Sequence, residues 1–384
     1  MRRAVLFCHS LISDWNHGNA HFLRGIVTEL LARGVDVRVF EPADAWSAVN
    51  LIRQGGQEAI DGFHRAYPQL SSTRMVPELL DLDAALDGAD LVLVHEWNDH
   101  PLVERIGRHR AREGRYILLF HDTHHRSVSD ERAMTAYDLR HYDGVLAFGE
   151  VIRERYLARG WARRAFTWHE AADTRMFVPA GIHAALGDEY GRPGAKAEWD
   201  VIWIGNWGDE ERSAEIRHFL IGPVRETRQR ARVHGVRYPP EALHELGEAG
   251  IEYAGWLPNY RVPDAFGRAG VTVHIPRRPY VEALPGVPTI RVFEALACGI
   301  PLVSCWWDDR EGLFEAGRDF LLVRTTDEMT AALERLRSDR EAAAAMAAHG
   351  LRTVRARHTC RHRVDELLAI VNGMRNESAV GAVG

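Results

Sequence analysis

The chain has almost no lysine. Lys196 is the only one in 384 residues, against 47 arginines. A GC-rich genome accounts for that bias. Its chemical consequence is that any cationic ligand clamp must use arginine or helix N-termini. Cysteine is also scarce. Cys8, Cys298, Cys305 and Cys360 have no CxxC spacing, which excludes a zinc ribbon or a disulfide framework and fits reduced, buried thiols. No apolar run approaches membrane-spanning length, and the start "MRRAVLFCHS" reads as a strand rather than a signal peptide. A cytoplasmic location is therefore expected. A formal net charge of −6 argues against nucleic acid as the default partner.

What is present is alternation. "RAVLFCHS", "VDVRVFEP", "ADLVLVHEW", "RYILLFHDT" and "DGVLAFG" are short apolar strands. "AHFLRGIVTELLARG" between the first two has one greasy face and ends at Gly34. Near-continuous apolar strands separated by helices predict a parallel sheet covered on both faces. A second set starts at "WDVIWIGNW" and runs through "IEYAGWLP", "GVTVHIP", "IPLVSCWW" and "DFLLVRT". The expected fold class is therefore α/β, with two doubly wound Rossmann-like domains. Domain one is expected over 1–170, a linker over 171–198 and domain two over 199–358. A last amphipathic helix is expected over 359–376 and a frayed tail over 377–384. Polar residues follow the strands of the first half: His9, His95-Glu96 and His121-Asp122. In open α/β sheets that carboxyl edge is where ligands bind.

The most specific segment is "PTIRVFEALACGIPLVS", 288–304. Ile290, Phe293, Leu296 and Ala297 form a helical stripe with Glu294 at its edge. Gly299 suits the helix end and Pro301 cannot continue it. This segment resembles the nucleotide-sugar segment of family-4-type glycosyltransferases and their spore-maturation, CgeB-like relatives. "HEAADTRMFVP" resembles the linker pattern of that family, and "NAHFLRGIVTELLARGVDVRVF" its first helix and second strand. The resemblance implies a GT-B fold, with two domains facing a central cleft. The first domain would take the acceptor and the second the donor, and the last helix would cross back to the first domain. Family members typically carry two glutamates eight positions apart, the first touching the donor sugar and the second the ribose. Here Glu294 matches the second, while Gly286 stands at the first. Ribose binding is thus expected of Glu294 alone. An N-terminal-turn glutamate stabilised by the helix dipole is the plain alternative.

A diphosphate leaving group needs charge neutralisation. The helix starting near Thr289 offers the backbone N–H groups of Thr289 and Ile290, although Thr289 would serve equally as an ordinary N-cap. The usual lysine after the first strand of the donor domain is absent, and "GNWGDEERSAEI" supplies Arg212 instead, with a solvated surface charge as the rival role. Arg277 and Arg278 leave another strand and are further candidates for phosphate or sugar. In "HSLISDWNHGNAH", Gly18 would permit close backbone approach to the donor phosphates, and Asn19 lies beside it. Trp256, Leu257 and Pro258 would flank the nucleobase, with core packing as the rival role. On the acceptor side Glu96, His121 and Asp122 are the catalytic candidates, either as base or as orienting groups. "HDTHH" has metal-ligating atoms but no HExxH spacing, so no metal is expected.

The resulting expectation is a metal-independent glycosyltransferase with no cofactor, using a nucleotide-diphosphate sugar as donor substrate. Resemblance implies retention of configuration. The acceptor is unidentified: a glycan, a small molecule or a protein. A nucleotide-sugar epimerase of the same fold and a degenerate nucleotide-binding member are the alternatives.

Overall fold

A computed structural model describes residues 1–180 and 197–381. The chain divides into two compact units at Glu170/Ala171 and again at Thr359/Cys360.

Unit 1 is built on seven strands: β1 (Arg3–Phe7), β2 (Asp36–Pro42), β3 (Thr73–Met75), β4 (Leu91–His95), β5 (Ile117–Asp122), β6 (Gly144–Ala147) and β7 (Ala165–Thr167). Their order is β3-β2-β1-β4-β5-β6-β7, and the neighbouring strands pair in parallel. Every residue of β4 and β5 is buried, as expected for central parallel strands covered on both faces. The chain reverses its direction of sheet growth between β1 and β4. That point opens a crevice at the carboxyl edge. The helix Cys360–Gly381 belongs to this unit. Trp168 donates its indole N–H to the Arg363 carbonyl at 2.8 Å, and Arg33 pairs with Asp365 at 2.7 Å. The helix continues to Gly381, past the tail boundary expected at 377.

Among its described residues unit 2 holds six parallel strands: β8 (Trp199–Ile204), β9 (Ala231–His234), β10 (Ile251–Tyr253), β11 (Ala269–His274), β12 (Leu302–Cys305) and β13 (Leu321–Val323). The order β10-β9-β8-β11-β12-β13 repeats the winding of unit 1, with its reversal between β8 and β11. Val201, Trp203, Val233, Val271, Val273 and Val303 form the centre of its core. The expected linker is described only in part. Ala171 to Ala180 belong to unit 2, with Ala172 bridged to Thr359. The rest of the expected linker, up to 196, lies outside the described residues.

The helix Ile290–Ala297 ends as its sequence dictates. Gly299 takes a left-handed φ of +64°. The Gly299 N–H bonds the Leu296 carbonyl at 3.1 Å and the Ile300 N–H bonds the Ala295 carbonyl at 3.3 Å. This paired arrangement satisfies the last helical carbonyls. Pro301 then starts the path into β12.

Candidate functional site

The carboxyl edge of unit 2 gathers three arginines from two segments. Arg277 pairs with Glu211 at 2.6 Å, and Arg278 with Glu215 at 3.2 Å. Arg212 differs from both. It donates to the carbonyls of Asn206 at 2.6 Å and Ile275 at 3.2 Å, and its guanidinium lies 5.2 Å from the Trp203 ring centre. Among the described residues it makes no ion pair, and its Nε is closed off from solvent without an acceptor. Burial, then the neighbouring Arg277, push it down to about 9. A desolvated cation without a carboxylate is costly, and an incoming anion relieves that cost. Arg277 and Arg278 are already answered by acids of the 211–215 segment.

Beside these arginines stands the start of the helix Ile290–Ala297. Its N-cap residue Thr289 provides no side-chain cap. The reason is a hydrogen-bond relay. The Ser304 hydroxyl donates to the Cys305 carbonyl at 2.8 Å and so accepts from His274 Nδ1–H, also at 2.8 Å. His274 Nε2 then accepts the Thr289 hydroxyl at 3.0 Å. His274 is held neutral, lowered to about 3 by burial and by Arg212 and Arg291. The first turn also contains no acid. The Val292 N–H already bonds the Thr289 carbonyl at 3.1 Å, so the N–H groups of Ile290 and Arg291 and the helix dipole are what an anion from outside would meet.

Glu294 is completely buried. Asn259 donates to its Oε1 at 2.8 Å, and Arg291, one turn earlier on the same helix, pairs with its Oε2. The carboxylate is thus engaged by two side chains. Gly286 also has a structural reason. Its φ is +89°, and a Cβ there would sit 2.8 Å from Glu311 Oε1. Glu311 therefore fills the space that a side chain at 286 would need. Trp256, Leu257 and Pro258 are half-buried and follow β10. Leu257 lines a cavity of about 90 Å³ with Trp199, Arg232 and His234.

In unit 1 the three catalytic candidates, Glu96, His121 and Asp122, are all buried. Glu96 is fully buried. Arg126 grips its Oε2 through two nitrogens, at 2.7 and 3.1 Å, and the Thr123 N–H and hydroxyl bond its Oε1 at 2.8 and 3.2 Å. Both oxygens are engaged by this scaffold. Asp122 is also fully buried. It accepts from the His124 N–H at 3.0 Å and from the Tyr156 hydroxyl at 2.9 Å. Burial and the nearby Glu96 hold its carboxyl well above the usual range. His121 is packed inward between Phe22, His95 and Trp168 and lowered to about 3 by burial. Standing at a strand's carboxyl end did not bring these groups to the surface, because their partners from neighbouring loops close over them.

The loop after β1 carries the candidates Gly18 and Asn19. The Asn19 side chain is buried and donates to Glu170 at 2.7 Å. Gly18 is exposed, and the left-handed residue of this loop is Asn16, with φ 49°. Among the described residues no group of three His, Cys, Asp or Glu side chains could hold a metal ion. Likewise, no described helix is long and apolar enough to cross a membrane.

Sequence reasoning missed Arg291, Asn259 and His274 as members of the unit 2 site. The three-residue spacing from Arg291 to Glu294 was a legible signal. The other two depend on which loops meet.

Residues 212–369 match the family described as Glycosyl transferase-like. No curated protein sequence matches the chain. Among solved structures, sucrose-phosphate synthase from Thermosynechococcus elongatus aligns with a TM-score of 0.64 at 14% identity, covering 98% of this chain and 100% of that one. Anabaena HepE in complex with UDP and glucose aligns with a TM-score of 0.64 at 13% identity, covering 96% of this chain and 100% of that one. T4 phage BGT in complex with UDP and Mn2+ aligns at 0.57 with 12% identity, covering 97% and 99%. With two Rossmann-like sheets of matching strand order, the chain has the GT-B fold, and its segment 212–369 is glycosyl transferase-like.

Proposed function

We propose that this protein transfers a sugar from a nucleotide-diphosphate donor, bound by unit 2, to a hydroxyl acceptor bound by unit 1. The observation that carries the reading is Arg212, a cation with no ion pair among the described residues, beside a helix start with no side-chain cap. The diphosphate takes its charge compensation from both. Thr289 and Ile290 supply the helix N-terminus. Arg277 and Arg278 border the site from their ion pairs. The ribose hydroxyls are read by the Glu294, Asn259 and Arg291 group, and Trp256, Leu257 and Pro258 flank the base. UDP is the first nucleotide to test, because HepE is described with UDP-glucose.

In the reaction, the acceptor oxygen bonds to the anomeric carbon as the bond from that carbon to the diphosphate oxygen breaks. The leaving diphosphate takes the bonding electrons and then the acceptor proton. This route suits retention and needs no side-chain base, in keeping with the engaged state of Glu96 and Asp122. Arg212 and the helix N-terminus stabilise the leaving charge, so transfer proceeds without metal. Calorimetry with UDP and uridine, followed by product analysis with UDP-glucose, tests the reading. UDP binding no tighter than uridine binding would overturn the diphosphate assignment.

A further inference from the structure

Unit 1 carries an aromatic corner at its own strand reversal, made by residues to which the donor site gives no role. His9 follows β1, Trp97 follows β4, and Trp46 opens the helix Trp46–Ala66 after β2. His9 lies 4.5 Å from the Trp46 ring. The Trp46 and Trp97 rings are 6.4 Å apart and nearly perpendicular, at 76°. Trp46 is 37% exposed, unusual for so large an aromatic. His17 packs edge-on against His9 at 5.3 Å. It is only 5% exposed, and its Nε2 has no hydrogen-bond partner.

That combination is amphipathic. Two indoles offer flat apolar faces, and a buried imidazole offers one unused polar atom. The Ser10 carbonyl faces the His17 ring, and burial lowers it well below its ordinary value. The ring is therefore neutral, with a lone pair able to accept a hydrogen bond. Arg126 lies over Trp97 at 4.4 Å, but Glu96 neutralises it. The corner thus lacks the positive charge that a phosphate or nucleic acid would need. A sugar ring has the complementary form: a C–H face for an aromatic ring and hydroxyls that donate.

We propose that this corner is a carbohydrate-binding subsite. The C–H face of a sugar ring stacks on Trp46 and abuts Trp97, and one hydroxyl donates to His17 Nε2. Naming that sugar as the acceptor rests on the transferase reading; the binding itself does not. The acceptor class is then a glycan or glycoside rather than a protein.

The test titrates the full chain, without donor, with glucose, galactose, N-acetylglucosamine, maltose and lactose, followed by tryptophan emission and calorimetry. At least one sugar should bind. Trp46→Ala should weaken it about tenfold or more, and Trp46→Phe should restore most of the loss. His17→Ala should weaken it about fivefold, and His17→Gln, which keeps an acceptor atom, should recover part. UDP affinity should stay unchanged in all four variants. Failure of every sugar to bind, or equal binding by Trp46→Ala, overturns the proposal. So does Trp46-dependent binding to phosphatidylglycerol vesicles without sugar binding, since exposed Val49 and Ile52 continue the same helix face. Sugar binding without UDP binding would instead sink the transferase reading and leave this subsite standing.

Discussion

Replacing Arg212 by glutamine should separate stability from binding. Burial lowers the Arg212 guanidinium from its ordinary value to about 9, a penalty on the order of 5 kcal/mol against the charged form. Relaxation reduces what is realised, and even whole buried ion pairs replaced by well-packed apolar side chains are often neutral or stabilised by about 1–4 kcal/mol. Against this stand two hydrogen bonds to backbone carbonyls, worth about 1 kcal/mol each. The unliganded variant should therefore be as stable as the parent, or up to about 2 kcal/mol more stable. The sign follows from the lowered value of a base. The penalty is fully present below about 9 and is relieved only as pH rises above that value. Measurements from pH 6 to 8 should thus show no pH dependence from this group. Binding should move the other way. Losing charge-assisted hydrogen bonds to a diphosphate costs roughly 1.5–3 kcal/mol, about ten- to hundredfold in affinity. Uridine affinity should barely change. Lysine should rescue only partly, because it cannot reproduce the planar fork. Differential scanning fluorimetry gives the stability and calorimetry the two affinities. A large fall in melting temperature with an unchanged ratio of UDP to uridine affinity would show that Arg212 is structural.

Glu294→Ala should both destabilise unit 2, by about 3–5 kcal/mol, and weaken nucleotide binding, because it strands Arg291 and Asn259; a fully stable variant in denaturant titration would contradict the buried pair. Glu96→Gln should lower stability by about 2–4 kcal/mol through loss of the Arg126 fork, with donor affinity kept; parental stability with lost transfer would restore Glu96 as a catalytic group. Stability should fall steeply below pH 6.5. His9, His121 and His274 are lowered to about 4, 3 and 3, so the unfolded chain binds more protons than the folded one. Each costs about 2 kcal/mol by pH 5, while Asp122, held high, acts in the opposite direction. His121→Phe should flatten the melting-temperature profile, and an unchanged slope would refute its share. Transfer from UDP-glucose should survive EDTA; a reversible Mn²⁺ requirement would overturn the metal-free reading.

The architecture was legible because it rests on local patterns. Apolar runs such as "YILLFHD" have few alternatives to a buried parallel strand, and Gly299 with Pro301 fixes a helix end through backbone sterics alone. Strands β3 and β7 were not legible. They are three-residue edge strands, too short to show periodicity and formed by pairing with a neighbour. β9 was missed because Arg232 interrupts its apolar run; that side chain turns out to pair with Glu252.

Site chemistry was only half legible. Sequence placed Glu96 and Asp122 at strand ends and Arg212 beside a helix start, and the structure has them there, while Glu294 sits in the middle of its helix. It could not tell which charges are already spent, because partners such as Arg126, Tyr156, Asn259 and Glu211 arrive from other loops. Arg212 and Arg277 look alike as residues in the chain. Folding gives Arg277 a carboxylate and leaves Arg212 with backbone carbonyls, and the cost of burying a charge makes that difference decisive. Sequence by itself determined two wound sheets with ligand-binding edges. Tertiary structure decided which groups at those edges have charge or hydrogen-bonding capacity left for a ligand, since that depends on desolvation and on partners distant in sequence.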